Sequence, residues 1–561
     1  MKKRMVAMMM GVVMTMTALA GCASSDKTAS TEESSKESET QSIATQSSES
    51  VSSEEKAVNE IPVDYFAGTE LEIAVFRNAM DMIEDYNEKP AFKAAEEATG
   101  IHINWIEVED GTKSEKVNIM LASDMPDAFL GLLNQSNISK NAELFYDLSE
   151  EGLLETYAPN VVADYATLPD GMGTVTWPDG SIRSLLTGPA VSYNNDADGI
   201  MMINKTWLDQ LNLDIPTTAE EFYEVMCAFR DNDMNGNGDT TDEIPLGFAA
   251  KNWASKIMNH ANPWGIAGSS SSDSYAYFMV KDGKVTPTAD TDNFRAFLEF
   301  YHKLAAEGIL DVEGFSQTSA QHSTKIKEGV VGCFYGWSPI EFMDLELAQQ
   351  YVAMEPFQAL EGVEPVKTGR KDRLLVNTSG FAISADTENV EALLHWWNYL
   401  SSSTEMKYTL RFGEQGQRWD IDAEGNVIDS TPDNLSEGFS VENYGYTYGM
   451  VDKGTFITKD ECMVIDTSDP TAADAWRKLM VDQVYDLLQD EYIPERMVDP
   501  AATEERTFIE ADLTSYISNF VATSIMDGVT DASWEAHLEA LKNYQYYEWI
   551  DWYQKFVDGE Y

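Results

Sequence analysis

The stretch DNDMNGNGDTTDEIP, at residues 231–245, decides how the rest of the sequence is interpreted. Oxygen-bearing side chains occupy every second position from Asp231 to Asp239, and Gly236 and Gly238 separate them. Calcium takes about six to eight oxygen ligands, and a glycine lets the chain turn tightly around the ion. Asp, Asn and Gly are also common turn residues, so a solvated acidic loop is the alternative. The oxygen spacing favours a calcium-binding loop.

Two registers of this loop fit the sequence. A start at Asp231 places Gly236 sixth and Asp242 twelfth, as in an EF-hand, whereas a start at Asp233 places Gly238 sixth. Because the sequence contains no second loop of this kind, it predicts one structural Ca²⁺ rather than a calcium-sensing pair. The ligands that we predict are Asp233, Asn235, Asn237, Asp239, Asp242 and Glu243.

The loop belongs to a longer block that resembles a known family. Residues 203–222 (INKTWLDQLNLDIPTTAEEF) precede it, and residues 243–246 (EIPL) follow. This block resembles the family 1 extracellular solute-binding lipoproteins, which serve ATP-binding-cassette importers of saccharides. The family pattern is NKxWLDxLGL-PTTxxEF followed by DPNGNGxxDEIP, and this chain has one extra residue after Asp239. The family register starts at Asp233.

The resemblance implies an α/β protein with the two-lobe periplasmic-binding-protein-like fold, a hinge, and a ligand cleft between the lobes. It also implies that the protein binds an extracellular carbohydrate, an oligosaccharide, and delivers it to permease subunits without chemistry. The sequence contains no zinc-protease, Walker A or dinucleotide motif. We therefore expect a binding protein and not an enzyme, and we expect a monomer. A surface-tethered glycoside hydrolase and a non-transport carbohydrate-binding adhesin are the alternatives.

The first residues have the order of a bacterial export signal. Residues 2–4 (KKR) are basic, residues 5–20 are largely apolar, and residues 19–22 (LAGC) resemble a lipobox. The sequence predicts a lipoprotein signal peptide over 1–21, with lipid such as palmitate on Cys22; an ordinary secretory signal is the alternative. Residues 22–62 are rich in Ser and Glu and predict a disordered tether. Residues 63–561 would form the two lobes, outside the cytoplasm and anchored to the cell membrane.

Composition limits the partners of the chain. The formal net charge is −58, with 96 acidic and 38 basic residues. Such acidity argues against nucleic acid and anionic membrane surfaces as partners, so the predicted membrane contact is through the lipid alone. Besides Cys22, the chain has the widely spaced Cys227, Cys333 and Cys462, for which we expect buried thiols.

The segment after the tether predicts a βαβ unit. Leu71, Ile73 and Val75 alternate with polar or small residues, residues 89–99 (KPAFKAAEEAT) have helical character, and residues 101–105 alternate again. Ligands of open α/β sheets bind beyond the carboxyl ends of strands. We expect the 76–78 turn and the 123–127 loop to be such places. Arg77 and Asp127 are therefore candidates for hydrogen bonds to sugar hydroxyls.

Tryptophans on loops are the remaining candidates for a sugar site. Sugars present apolar faces rimmed by hydroxyls, so their sites need flat aromatic platforms. Trp264 lies in NPWG, Trp337 in YGWS, and Trp419 after Gly416. By resemblance, the regions around Trp264 and Trp419 line the saccharide cleft, whereas Trp337 and Tyr335 are inferred from their loop context. A buried loop anchor is the alternative for each tryptophan.

Overall fold

The computed structural model describes residues 61–190, 196–250, 252–268, 277–372, 374–429, 441–468, 470–471 and 473–561. The chain divides into one unit over Met1–Ala57 and a second, compact unit over Val58–Tyr561. The predicted signal peptide, Cys22 and almost all of the predicted tether lie outside the described residues. They stay predictions from the sequence.

The strands are β1 Glu70–Arg77, β2 His102–Glu109, β3 Ala128–Leu130, β4 Leu185–Thr187, β5 Ile200–Asn204, β6 Ile244–Gly247, β7 Phe278–Lys281, β8 Lys284–Pro287, β9 Val331–Gly336, β10 Tyr351–Met354, β11 Lys367–Arg370, β12 Asn377–Ile383, β13 Trp419–Ile421, β14 Val427–Asp429 and β15 Leu488–Gln489. The helices are α1 Pro90–Thr99, α2 Lys113–Ala122, α3 Gln135–Lys140, α4 Leu153–Tyr157, α5 Pro159–Tyr165, α6 Lys205–Leu211, α7 Ala219–Asp231, α8 Asp292–Ala306, α9 Ser319–Lys327, α10 Leu345–Ala348, α11 Val390–Leu400, α12 Thr404–Phe412, α13 Val441–Tyr448, α14 Ala473–Val484, α15 Pro500–Asp527, α16 Asp531–Asn543 and α17 Tyr546–Asp558.

A five-stranded sheet has the order β2-β1-β3-β12-β4. Strands β1, β2 and β3 are parallel, and β12 is antiparallel to β3 and β4. The predicted βαβ unit is confirmed as β1, α1 and β2. Helix α1 begins at Pro90, whose missing N–H costs nothing in a first turn, and ends at Gly100 with φ 67°. The carboxyl ends of β1, β2 and β3 therefore share one edge of the sheet.

A four-stranded sheet has the order β10-β5-β9-β6. Strand β9 is parallel to β6 and antiparallel to β5, which is antiparallel to β10. Every residue of β5 and β9 is buried, as is typical of strands covered on both faces. The carboxyl ends of β6, β9 and β10 share one edge with the beginning of β5.

Each of these two sheets lies in its own lobe, and each lobe is built from two separate segments of the chain. By their sheets and apolar clusters, the described residues of 61–190 and 374–468 form the first lobe and those of 196–372 and 473–561 form the second, except that Met497 lies in the same apolar cluster as Ala74 and Phe129 of the first lobe. Separate apolar clusters fill the two lobes: Phe92, Phe381 and Trp396 are in the first, and Trp207 and Phe297 are in the second. The backbone of Leu375 donates to Ala190 O at 3.2 Å, so two connecting segments run side by side. The chain has a two-lobe α/β fold, as expected, and β12 joins the first sheet after the strands of the second sheet in the sequence.

The C-terminal part is helical, with α15, α16 and α17 in succession. Helix α15 covers 28 residues and packs on α8 and α17. In the described part of the chain, no helix has both the length and the apolar character to cross a membrane. The cysteines outside the leader form no disulfide, and the expected burial is confirmed only for Cys333, since Cys227 and Cys462 are half-buried.

Candidate functional site

The predicted calcium loop connects α7 to β6 in the second lobe. Helix α7 begins with a capping box, in which the Thr218 side chain and the Glu221 backbone and side chain bond reciprocally. Strand β6 then pairs with the central strand β9. The motif is therefore helix–loop–strand rather than helix–loop–helix, and its loop is anchored at both ends in the second lobe.

Asp233 organises the turn of this loop. Its Oδ1 accepts hydrogen bonds from the backbone N–H groups of Gly236 and Asn237 at 2.7 and 3.1 Å, and its Oδ2 accepts from Gly238 at 2.8 Å. Both glycines have positive φ, 77° and 91°, which other residues adopt at a cost. Asp231 instead directs both carboxylate oxygens to Arg230, at 2.7 and 3.0 Å. This arrangement supports the register that starts at Asp233.

Two carboxylates close the loop. Asp242 Oδ2 accepts from the side-chain amides of Asn235 and Asn237 at 3.2 and 2.6 Å, and Glu243 Oε1 accepts from the backbone of Met234 at 2.8 Å. Asp242 Oδ1 and Glu243 Oε2 are buried and have no hydrogen-bond partner. A buried carboxylate oxygen without a donor is costly, so these two oxygens fit a cation. Within the described ranges, His, Cys, Asp and Glu side chains nowhere form a metal-binding group of three or more.

At the carboxyl edge of the first-lobe sheet, the structure contains a cavity of about 170 Å³. Phe76, Asn78 and Tyr86, from the end of β1 and the turn beyond it, line one side; Tyr446, Met450 and Lys453 line the other. The predicted position of a ligand site beyond β1 therefore coincides with a real cavity. Its two walls come from the two separate chain segments that form the first lobe.

Arg77 lies beside this cavity but is already engaged. Its guanidinium pairs with Glu107 on the neighbouring strand β2 and donates to the backbone carbonyls of Asp81 and Ile83. Burial lowers the pKa of Arg77, but Glu107, together with Asp81 and Tyr86, raises it by more, so the net shift is upward. Arg77 thus shapes the turn after β1, and its predicted contact with a sugar stays untested.

A second cavity of about 230 Å³ lies at the same edge, beyond β2 and β3. Asp110, Lys113 and Ser114 line it from the β2 side, and Leu132, Asn134 and Asn137 from the β3 side. The two cavities are neighbours, because Lys113 of the second has its Nζ 5.5 Å from the ring centre of Phe76 in the first. Together they offer amides, hydroxyls and the aromatic rings of Phe76, Tyr86 and Tyr446 along one edge.

In the second lobe, two tryptophans follow the carboxyl ends of adjacent parallel strands. Trp337 comes directly after β9 and is half-buried, and Trp253 follows β6 and is 40% exposed. A Cβ at Gly199 would overlap the Ala254 carbonyl, so the Trp253 loop lies against the start of β5. Sequence reasoning missed Trp253, although its position after the EIPL strand, in the loop NWAS, was a signal that could have found it.

Arg477 of α14 holds the backbone at this edge of the second-lobe sheet. It is almost fully buried, donates to the backbone carbonyls of Trp337, Ala197 and Asp198, and lies 5.6 Å from the ring centre of Trp337. Burial lowers the pKa of Arg477 to about 10, against the raising effect of nearby carboxylates such as Asp198. The guanidinium ties the loop after β9 to the start of β5, and it covers Trp337 from one direction.

The structure places the other aromatic candidates in apolar cores. Trp264 is 1% exposed and contacts the rings of Phe297, Phe300, Tyr301 and Phe357. Trp419 is fully buried and donates to Gly413 O at 2.8 Å. Tyr335 is 1% exposed, because β9 lies in the middle of its sheet. These burials match a buried anchor, so we leave all three out of the ligand site.

Asp127 lies at the other edge of the first-lobe sheet. It precedes β3, and since β3 is parallel to β1, the 123–127 loop is at the amino ends of these strands. The expectation that this loop lies beyond carboxyl ends is wrong. Asp127 Oδ2 accepts from the Glu72 backbone at 2.8 Å, and its Oδ1 accepts from the Thr387 hydroxyl. Its carboxylate joins β1 and the segment after β12 instead of facing the two cavities.

Comparison with known proteins agrees with this architecture. No family model matches the chain. The chain is 24% identical over 506 residues, 85% of its length and 88% of the relative's, to the fructooligosaccharide ABC transporter substrate-binding protein FusA of Streptococcus pneumoniae. It also superposes on the crystal structure of an extracellular solute-binding protein from Bifidobacterium longum subsp. infantis, with TM-score 0.75 and 25% identity over 87% of this chain and 98% of that one.

The fold is that of a solute-binding protein. A structure of the FusA EF-hand mutant in complex with fructo-nystose superposes with TM-score 0.70 and 21% identity, over 87% of this chain and 99% of that one. The resemblance of residues 203–246 to saccharide-binding proteins of ATP-binding-cassette importers is thereby confirmed. These homologues are binding proteins of transporters rather than enzymes.

Proposed function

We propose that this protein binds an extracellular oligosaccharide and delivers it to the permease of an ATP-binding-cassette importer, without chemical change. The observation that carries the proposal is the similarity to FusA, a fructooligosaccharide-binding protein, across 85% of this chain. The two-lobe fold supports it, because such lobes close around a solute by hinge motion. The connecting segments at Ala190 and Leu375 would form part of that hinge.

The oligosaccharide would contact the carboxyl edges of both sheets. On the first lobe, the two cavities supply Phe76, Tyr446 and the amides of Asn78 and Asn134. On the second lobe, Trp253 and Trp337 would supply aromatic platforms for the apolar faces of sugar rings. Loops held by a rigid sheet are favourable places for such contacts.

The loop from Asp233 to Glu243 would hold one structural Ca²⁺. The buried oxygens of Asp242 and Glu243 that lack a hydrogen-bond partner support this assignment, as does the existence of a FusA structure described as an EF-hand mutant. The side-chain amide nitrogens of Asn235 and Asn237 face Asp242. Rotation of each amide group by 180° would place its oxygen there instead, and both side chains could then bind the ion. The ion would neutralise the loop carboxylates and fix the connection between α7 and β6.

Cys22 would carry the lipid that keeps the protein at the outer face of the cell membrane. This part of the proposal rests on the residue order of the leader alone. The Ser- and Glu-rich segment after Cys22 would then separate the lobes from the membrane. The lobes would reach solute outside and the permease in the membrane.

A ligand screen tests the central proposal. We would measure the melting temperature of the protein against neutral and acidic oligosaccharides, since a ligand that binds only the folded state raises it. Calorimetric titration would then give Kd, and chromatography of the recovered ligand would report any cleavage. We expect saturable binding and intact ligand. Recovery of shortened sugars would favour the glycoside hydrolase, and no binding across the screen would overturn the proposal.

A further inference from the structure

Two lysine side chains converge on one phenylalanine ring at the carboxyl edge of the first-lobe sheet. The Nζ atoms of Lys113 and Lys453 lie 5.5 and 5.8 Å from the ring centre of Phe76. The three residues come from the start of α2, the segment after α13 and the end of β1. A ring face attracts a cation, but two cations that share one ring repel each other. Burial, and then the charge of Lys453, lowers the pKa of Lys113.

Neither lysine has a salt-bridge partner in the part of the chain that the structure describes. The cations nearby are paired: Arg77 with Glu107, and Lys89 with Asp81. Asp110 is the acid whose charge acts on Lys113, and it does not offset both lysines. Lys113 and Lys453 thus bring two ammonium groups to one ring in a chain with 96 acidic and 38 basic residues.

The side chain of Lys453 packs against Gly131, which has no side chain of its own. A Cβ on Gly131 would lie 2.8 Å from Cδ and 2.9 Å from Cγ of Lys453, so the lysine stem lies across the space that the glycine leaves. Gly131 follows β3 with φ 70° and donates its N–H to Gly380 O at 2.7 Å. Its backbone is thus held on the sheet, and the lysine stem is directed over it towards Phe76.

The position of Lys113 adds to the positive potential. It is the first residue of α2, a helix of ten residues. The amino end of a helix carries partial positive charge and favours anions, so a lysine there is unfavourably placed. The helix end, the two ammonium groups and the partial burial of Lys113 therefore act in the same direction. An anion bound at this edge would reduce the repulsion between the two ammonium groups and would offset the positive charge of the helix end.

Each lysine also lines one of the two cavities. Lys453 is part of the wall beside Phe76, and Lys113 is part of the wall beside Asn134. A ligand that extends along both cavities must therefore pass the pair. We propose that the oligosaccharide of the proposed function is acidic, and that its anionic group binds between Lys113 and Lys453. This inference rests on that function. A uronate carboxylate and a sulfate ester share the required chemistry.

Titration with matched ligands tests the inference on the full mature protein. The probes are trigalacturonate, its methyl ester, a sulfated disaccharide and the neutral trisaccharide kestose. We expect Kd for trigalacturonate to be at least about tenfold lower than for its methyl ester. Lys113→Gln and Lys453→Gln should each reduce that preference about tenfold. A preference for the sulfated probe over trigalacturonate would assign the anion as sulfate instead of carboxylate.

Three controls keep the result interpretable. Lys116→Gln removes an exposed lysine of the same helix and should keep the preference for the acid. Lys113→Arg keeps the positive charge and should retain most of the preference for the acid. Melting curves identify variants that fail to fold. Equal affinity for acid and ester, or an acid preference that survives both Gln variants, overturns the inference. Binding of kestose alone leaves the proposed function standing and overturns this inference, whereas binding of no saccharide overturns both.

Discussion

Lys89 and Asp81 form a buried ion pair, with Nζ 3.0 Å from Oδ2 and each side chain 2% exposed. Lys89 Nζ also donates to the carbonyls of Tyr446, Thr447 and Gly449 at 2.7, 2.9 and 3.1 Å. Lys89 therefore connects the two chain segments that form the first lobe. Burial lowers its pKa to about 8, although Asp81 raises it, so the desolvation of this ammonium is severe.

Loss of Asp81 should destabilise the first lobe strongly. Asp81→Ala leaves a buried ammonium with carbonyl partners only, and such a change costs about 3–5 kcal/mol. The free energy of unfolding from urea titration at neutral pH measures it. The matched control is Glu88→Ala, because Glu88 pairs with Lys93 at 2.9 Å on the surface. Exposed pairs contribute about 0–1 kcal/mol, so equal losses in the two variants would contradict the prediction.

Two buried histidines should make the protein sensitive to mild acid. Burial, and then the charge of His322, lowers the pKa of His260 to about 3; burial lowers that of His322 to about 4. The unfolded chain, with pKa about 6.5, binds more protons than the folded chain between these values. Stability is thus lost as pH falls below about 6.5, by about 2 kcal/mol per histidine at pH 5.

Urea titrations at pH 7.5 and pH 5 check this. In His260→Phe, the difference in unfolding free energy between the two pH values should be about 2 kcal/mol smaller than in the unmodified protein. His102→Gln, at a partly exposed surface position, controls for the removal of a histidine that is not buried. An unchanged pH difference in His260→Phe would show that His260 is not the sensitive group.

Removal of calcium should lower the melting temperature. At a calcium concentration about 100 times Kd, the ion would contribute about 2.7 kcal/mol, which a chelator removes. Asp233→Ala should melt early and become insensitive to the chelator. Asp231→Ala should keep the chelator response, because Asp231 is engaged with Arg230 outside the loop turn. Absence of bound calcium by elemental analysis, together with no response to titrated calcium, would remove the assignment.

Four tryptophan variants separate sugar contact from packing. Trp253→Ala and Trp337→Ala should weaken oligosaccharide affinity by about 1–3 kcal/mol, by analogy with the stacking of other planar ligands, with little change in melting. Trp264→Ala and Trp419→Ala remove fully buried rings and should cost about 3–5 kcal/mol of stability. Calorimetric titration and melting curves of all four decide between the roles. Unchanged affinity in both Trp253→Ala and Trp337→Ala would exclude them as platforms.

Acylation of Cys22 should determine where the protein is found. In Cys22→Ala, the lipid attachment atom is gone, so the protein should appear in the medium or keep its leader. Fractionation of cells and mass spectrometry of the N-terminus measure this. Membrane retention of a correctly cleaved Cys22→Ala protein would contradict the prediction.

The sequence determined those features that depend on neighbouring residues. The alternation in β1 and the helical character of residues 89–99 are local patterns, and each structure formed where its pattern indicated. The oxygen spacing after Asp231 predicts a metal loop from neighbouring residues alone. Resemblance over residues 203–246 then indicated the two-lobe class, because that block is itself contiguous in the chain.

Only the tertiary structure decided which side chains face a ligand. The loop contexts of Trp253, Trp264 and Trp337 look alike in sequence, yet Trp264 is enclosed by helix α8, which follows it by 28 residues in the chain. Asp127 is on the wrong edge because strand direction, not sequence distance, sets the end of a sheet at which a loop lies. Lys113 and Lys453 meet on Phe76 although 340 residues separate them. Burial and convergence depend on contacts between distant segments, which no local pattern encodes.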